Sequence, residues 1–293
     1  MNVLRFLIAA SLACLVVLSA AAQGNKKTKT PKLDVEEILA KHIASIGTPE
    51  ALAAARSRVL IGSTILSRKS RANDKAGVPK VSGTAQFASF GEMSLFAIVF
   101  QSNAITREQF AYDGDKVTFS FPGEIATDLK DLAKSHSWVI KDGLFAGTLS
   151  SGWILLNSKA VMARLQNAGV EKLAGRDCYK IKYTPITGDY EPRVIIYIDA
   201  ENFHHLQTEY EYRSSVATPP ELGNLRLSYS FLSTWTEKFS DFRKEGELVL
   251  PHDYALNAAV AADMTKPEST QWDIVFQTFY FDQVLEPSLF RFS

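Results

Sequence analysis

RVIIYIDAENFHHLQTEYEY (residues 193–212) consists of two extended runs joined by turn-forming residues. Arg193–Asp199 is dense in β-branched and aromatic residues, which suit a pleated, half-buried surface. His204–Tyr212 mixes polar and apolar side chains at short range. The Asp and Asn of DAENF favour a turn, so the pattern predicts a hairpin turning at Asp199–Phe203. Strict alternation places His205, Gln207, Glu209 and Glu211 on one face, expected wet. It places His204, Leu206, Thr208, Tyr210 and Tyr212 on the other, expected buried. Two histidines beside two glutamates raise the question of a metal site. His205 and Glu209 lie roughly 13 Å apart along a strand, too far to share an ion. No HExxH, CxxC or His-x-His is present, so no metal and no cofactor are expected.

The same period of two recurs along the chain. SRVLIGSTILSR, KVSGTAQFASFG, SLFAIVFQS and REQFAYDGDKVTFSFPG follow one another with turn residues between them. Asp113-Gly114 between apolar runs is a strong hairpin signal. SLFAIVF is apolar at both parities, which predicts a strand covered on both faces. GRDCYKIKYTPI precedes the opening hairpin, and three long runs follow it, LRLSYSFLSTWTEKFSDF, LVLPHDYALNAAVAA and STQWDIVFQTFYFDQVL. About ten strands in meander order argue for a mainly β chain with helices. The expected fold is a curved antiparallel sheet forming an incomplete β-barrel capped by helices.

Two regions break the pattern. In DVEEILAKHIASIG, Asp34 is a good N-cap, and Val35, Ile38, Leu39, His42, Ile43 and Ile46 share one helical face. His42 reads as a helix-edge histidine. Thr48-Pro49 then restarts a short helix. Residues 124–167 form the second break. EIATDLKDLAKSHSW reads as helix, with His136 at its surface, and DGLFAGTLSSGWILLN is apolar and glycine-studded. SKAVMARLQNAG reads as a short helix ended by Gly169. An apolar insert of this kind must pack over something, and a cap across the mouth of the sheet would satisfy it.

The chain begins MNVLRFLIAASLACLVVLSAAAQG. Arg5, an apolar run from Phe6 to Leu18 and the Ala20-x-Ala22 pair follow the order of a cleavable secretory signal. We therefore expect Met1–Ala22 to be removed after Ala22, then a flexible basic leader over 23–33, then one domain over 34–293. Cleavage takes away one cation and leaves a net charge of about −1, so there is no electrostatic case for nucleic acid. It also leaves Cys178 alone, so no intramolecular disulfide can form. A secreted chain without disulfides fits a bacterial periplasm.

Several segments carry a family resemblance: ILAKHIASIG with TPEALAAARS, VLIGST, FAYDGDKVTF, LAGRDCYKIKYTP with RVIIYIDAENFHHLQTEYEY, FSDFRKEGELVLPHDYAL and VLEPSLFRF. In this order they resemble the periplasmic lipoprotein-carrier (LolA-like, outer-membrane lipoprotein-sorting) superfamily, over roughly Asp34 to Phe292. The resemblance implies an incomplete barrel whose concave apolar face, capped by helices, accepts acyl chains. It implies an acylated lipoprotein or lipid as partner, together with a membrane or outer-membrane partner protein. The central insert departs from that carrier's lid. The motifs do not place the arginine with which the carrier ties its lid to the barrel.

Each acyl CH₂ moved out of water is worth ~0.8 kcal/mol, so one chain gains roughly 10 kcal/mol in an apolar sleeve. Strand parity nominates Phe96, Phe119, Tyr229, Phe231 and Trp272 as lining residues. Leu206, Tyr210 and Tyr212 join them if their face meets the lipid. No G-x-S-x-G, phosphate loop or histidine constellation is present. The expected function is a non-enzymatic carrier. The rivals are a regulator of the same fold that binds a signalling partner protein, and a metal-dependent hydrolase using His204, His205 or His252.

Overall fold

The computed structural model describes residues 30–69, 80–185, 192–217, 228–262 and 268–292. The expected signal segment and residues 23–29 of the basic leader lie outside the described residues. Everything below concerns the unit Lys32–Ser293.

Twelve strands form one sheet. They are β1 (Ser57–Lys69), β2 (Lys80–Phe90), β3 (Met93–Phe100), β4 (Arg107–Tyr112), β5 (Val117–Ser120) and β6 (Leu165–Leu173). Then come β7 (Arg176–Tyr183), β8 (Arg193–Asp199), β9 (His205–Ala217), β10 (Ser228–Glu245), β11 (Leu248–Ala262) and β12 (Glu268–Phe281). All neighbouring pairs are antiparallel. The order is β5-β4-β3-β2-β1-β12-β11-β10-β9-β8-β7-β6, a curved sheet that does not close into a barrel. The first and last strands pair in its middle.

This order has a direct consequence. The two edges of the sheet, β5 and β6, are consecutive in the chain. The connector from Phe121 to Arg164 must therefore run from one edge to the other across a face. It carries short helices α3 (Leu129–Ser135) and α4 (Trp138–Lys141), two 3-10 turns and then α5 (Ser158–Val161). The face it covers, together with α1 (Val35–Ile46), is called the inner face here. α2 (Pro49–Ala54) leads from α1 into β1.

The local signals explain these elements. The Asp34 carboxylate accepts from the Glu37 N–H at 2.8 Å and Thr48 Oγ1 from the Ala51 N–H at 3.2 Å, so both N-terminal helices are capped by side chains. Asp113 Oδ1 accepts from the N–H groups of Asp115 and Lys116, and Gly114 has a φ of 96°, which fixes the β4–β5 hairpin. β3 is buried on both faces as its sequence predicts. Phe96 and Ile98 join the main inner core, while Leu95 and Ala97 pack outward under Phe290 of the C-terminal tail.

Some expectations change. SKAVMARLQNAG is a helical turn followed by strand, because Leu165–Leu173 pairs with β7 as the sheet edge. Gly169, at φ 97°, sits in the bulge of that ladder instead of ending a helix. His136 is 5% exposed and packs against the Tyr212 ring at 5.0 Å, so it is not a surface residue. His42 lies in the middle of the buried stripe of α1, not at its edge.

The opening hairpin holds the largest correction. Its β8–β9 ladder slips between Tyr197↔Gln207 and Ile198↔His205, which leaves Leu206 as an extra residue. A one-residue bulge flips the side chains before it to the other face. His205 therefore points inward with Thr208 and Tyr210 and is fully buried. Leu206 points outward, into a satellite cluster with Cys178, Ile195 and Tyr197. Thr208 and Tyr210 stay buried and Glu209 and Glu211 stay on the outer face, as alternation gave them; Gln207 keeps the outer side but is buried instead of wet.

Candidate functional site

The inner face is apolar and filled. Phe87, Phe96, Phe110, Tyr254, Trp272, Ile274 and Phe276 of the sheet are all buried. Over them lies the middle of the connector, which contributes Leu144, Phe145, Leu149, Trp153 and Leu155, each buried. Phe145 is the central contact, with ring centroids 5.2 Å from Phe96, 5.0 Å from Phe110 and 6.4 Å from Phe87.

Two charged side chains of the sheet hold this segment by its backbone. Arg58, at the start of β1, is 1% exposed. Its Nη1 donates to the carbonyls of Thr148, Leu149 and Ser150 at 2.7, 3.4 and 3.3 Å, and its Nε donates to Ala55 at 3.2 Å. Burial pulls its pKa down to about 10. Glu237, in β10, is 0% exposed. It accepts from the Ala146 N–H at 2.7 Å, the Tyr210 hydroxyl at 2.5 Å and the Tyr254 hydroxyl at 2.6 Å. Burial pushes its carboxyl up to about 7 against the pull of those three donors. Burial, and then the same carboxylate, raise both tyrosines well above their usual range. At its base the connector is tied by Asp142, which accepts from Arg164 at 2.7 Å and from the Tyr183 hydroxyl at 2.8 Å.

The fit is tight at one end. Ala146 and Gly147 both have positive φ, 64° and 46°. A Cβ on Gly147 would lie 2.6 Å from His205 Nδ1 and 2.8 Å from Phe239 Cζ. Gly147→Val is expected to lower stability by about 2–4 kcal/mol through overpacking and left-handed strain, read by urea unfolding. Beside Gly147, His205 stacks on Trp153 at 4.5 Å and its Nε2 lies 2.7 Å from Thr208 Oγ1. The His42 Nδ1–H donates to the Phe203 carbonyl at 2.7 Å. Desolvation pulls His42 down to about 4 and His205 well below the usual histidine value. His42 Nε2, His205 Nδ1 and Trp153 Nε1 are buried without a hydrogen bond inside the protein.

These groups set a pH dependence. Glu237 keeps its proton to about pH 7 when folded, against 4.5 for an ordinary glutamate. The stability this contributes is fully present below pH 4.5 and is lost as pH rises to about 7. His42 and His205 act in the opposite sense. The stability gap between wild type and Glu237→Gln isolates the carboxyl. It is expected to shift against the wild type from pH 4.5 to 7 and to level off above, measured by urea titration at each pH.

The nominated lining residues divide. Phe96, Tyr210 and Trp272 are buried at the inner face. Phe96 meets Phe145, and Tyr210 donates to Glu237 and lies 3.4 Å from the Leu144 carbonyl. Trp272 stacks on Trp235 at 6.2 Å. Tyr212 is half-buried beside His136. Phe119 is on the edge strand β5 and 39% exposed, and Leu206 is on the outer face. Tyr229 and Phe231 fall in β10, but their side chains lie outside the described residues.

His42 and His205 meet edge to face at 6.5 Å over Trp153, but the three histidines of the hydrolase reading have separate partners. His204 stacks on Phe242, His205 on Trp153, and His252 packs on Phe279 with Nε2 2.9 Å from Glu245. Among the described residues no group of three or more His, Cys, Asp or Glu is placed to hold a metal ion.

Parity could have exposed the residues missed from the sequence. Arg58 shares the inward parity of Leu60, Thr64 and Leu66, all buried. Glu237 shares that of Trp235 and Phe239. A lone charge on the apolar side of a strand must find a partner there, and here each charge reaches the connector backbone, Glu237 with two tyrosine hydroxyls beside it and Arg58 with the Ala55 carbonyl.

No family model matches this chain, and no curated protein matches it. Solved structures similar to it include the following two. One is the complex structure of Pseudomonas aeruginosa MucA/MucB, 9% identical, covering 84% of this chain and 99% of that chain with a TM-score of 0.24. The other is MucB in complex with MucA(peri), 9% identical, covering 86% of this chain and 100% of that chain with a TM-score of 0.22. With scores this low, neither bears on the fold or role of this chain.

Proposed function

We propose that the protein is a non-enzymatic periplasmic binding protein that carries or sequesters an acylated ligand, a lipoprotein or lipid, on the inner face of its half-barrel. The connector segment 142–156 occupies that face when no ligand is bound and gives way when one is.

One observation carries the reading: beside α1, the apolar inner wall is covered by a connector held through two buried charged side chains. The magnitudes are compatible with exchange. Burying Leu144, Phe145, Leu149, Trp153 and Leu155 is worth about 10 kcal/mol at roughly 2 kcal/mol each. About a dozen acyl methylenes at ~0.8 kcal/mol offset that. The docked connector also bears costs that a displaced one does not, namely the left-handed Ala146 and the unpartnered polar atoms of His42, His205 and Trp153.

The test is purification from the periplasm, then solvent extraction and mass spectrometry. A co-purifying acyl lipid, or stoichiometric uptake of an added one, is expected. A protein that neither retains nor takes up any acyl lipid overturns the reading.

A second reading, a regulator that binds a signalling partner protein, is favoured by the filled inner face, which leaves the outer surfaces and sheet edges for contact. Capture of a membrane-anchored regulator by a protein that takes up no lipid would select it.

A further inference from the structure

β9 and β10 separate at one end of the sheet. Their ladder ends at Lys238↔Gln207, whereas β10 runs on to Glu245 paired with β11. Irregular residues mark the split on both strands: the Leu206 bulge in β9, and Asp241 at φ 54°, which the β10–β11 register skips. The β6–β7 turn, with Ala174 at φ 49°, closes the far side. Between them lies a cleft of about 610 Å³, within the size range of small-molecule sites.

Its lining is amphipathic. Leu173 and Leu206 form an apolar wall continuous with the outer cluster of Cys178, Ile195 and Tyr197, and Phe242 adds an aromatic ring. The charges sort by pairing. Arg176 is bound to Asp199 at 2.6 Å, and Asp241 is bound to Arg243. Lys238 makes no ion pair among the described residues, so one positive charge at the cleft is uncompensated. His204 is held below its usual pKa by burial and adds no second charge at neutral pH.

We propose that this outer cleft binds a small amphipathic monoanion, an aryl or branched-alkyl acid whose body lies on Leu173, Leu206 and Phe242 and whose anionic head faces Lys238. The site opens on the outer side and does not depend on displacement of the connector, although Phe239 and Phe242 in its lining also pack on the inner core. Its size and open shape suit a compact acid better than a long chain.

The test is calorimetric titration of the intact mature protein with three probes of one shape: 2-naphthoate, neutral 2-naphthamide and cationic 2-naphthylmethylammonium. Naphthoate is expected to bind at about 1 mM or tighter, and the amide about fivefold more weakly. The cation is expected to be weakest. Lys238→Glu, at an exposed position, reverses the order of naphthoate and cation. Ser240→Trp fills the cleft from its rim and removes binding of all three. Methyl NMR places the shifts at Leu173 and Leu206. Naphthoate binding that fails to saturate by about 10 mM, or that survives both variants, overturns the proposal. So do shifts confined to Leu144 and Leu149, which report the inner face and leave the carrier reading untouched.

Discussion

Replacing Glu237 with leucine lowers the stability of the protein by about 3–5 kcal/mol. The carboxylate is fully buried and accepts three hydrogen bonds, from Tyr210, Tyr254 and the Ala146 N–H. Leucine is close in size, so packing changes little. What changes is that two hydroxyls and one amide lose their acceptor in a place water does not reach. Each buried, unsatisfied group costs about 1–3 kcal/mol. Glutamine keeps one acceptor oxygen but turns an amide donor towards donors, so Glu237→Gln is expected to cost less, about 1–2 kcal/mol. Adding Tyr210→Phe and Tyr254→Phe to Glu237→Leu removes two of the orphaned donors and recovers about 1–2 kcal/mol. Urea unfolding followed by near-ultraviolet circular dichroism measures all three. A Glu237→Leu protein as stable as wild type would mean that the carboxylate does not hold the connector.

The second large effect is expected at Arg58. Arg58→Met keeps an unbranched apolar stem of similar length and removes the guanidinium. The carbonyls of Ala55, Thr148, Leu149 and Ser150 then lose a shared donor. A cost of about 3 kcal/mol follows from that loss. It falls on the connector more than on the sheet, because three of the four acceptors are in the connector. Hydrogen exchange at residues 144–150 is expected to accelerate at least tenfold in Arg58→Met, with β2, β3 and β12 amides changing far less. Uniform acceleration across the sheet would instead make Arg58 a general core residue.

Much of the sheet was legible because strand period, turn chemistry and helix caps are local. Asp34, Thr48 and Asp113-Gly114 sit where the sequence places them. SLFAIVF, apolar at both parities, is covered on both sides. The bulge at Leu206 was not legible. Alternation assumes an unbroken ladder, and nothing in HHLQTE marks which residue a partner strand will skip. That one residue moved His205 from the expected wet face into the core and Leu206 out of it. The length of β6 was also hidden, because an edge strand exposed along most of both faces lacks the apolar pattern of its neighbours. The route of the connector followed from topology: once β1 pairs with β12, the chain must cross from β5 to β6. Arg58 and Glu237 were visible as charges on apolar parity, but the connector backbone groups they hold are announced by no sequence motif.

As an exchangeable occupant of the inner face, segment 142–156 must leave when an acyl ligand enters. Hydrogen exchange of that segment in wild-type protein, with and without a saturating dipalmitoylated peptide, reads this. Loading is expected to raise exchange at residues 144–150 by at least about tenfold while the sheet amides keep or gain protection. Lipopeptide bound at one equivalent with the segment as protected as before, or no binding at all, would contradict it.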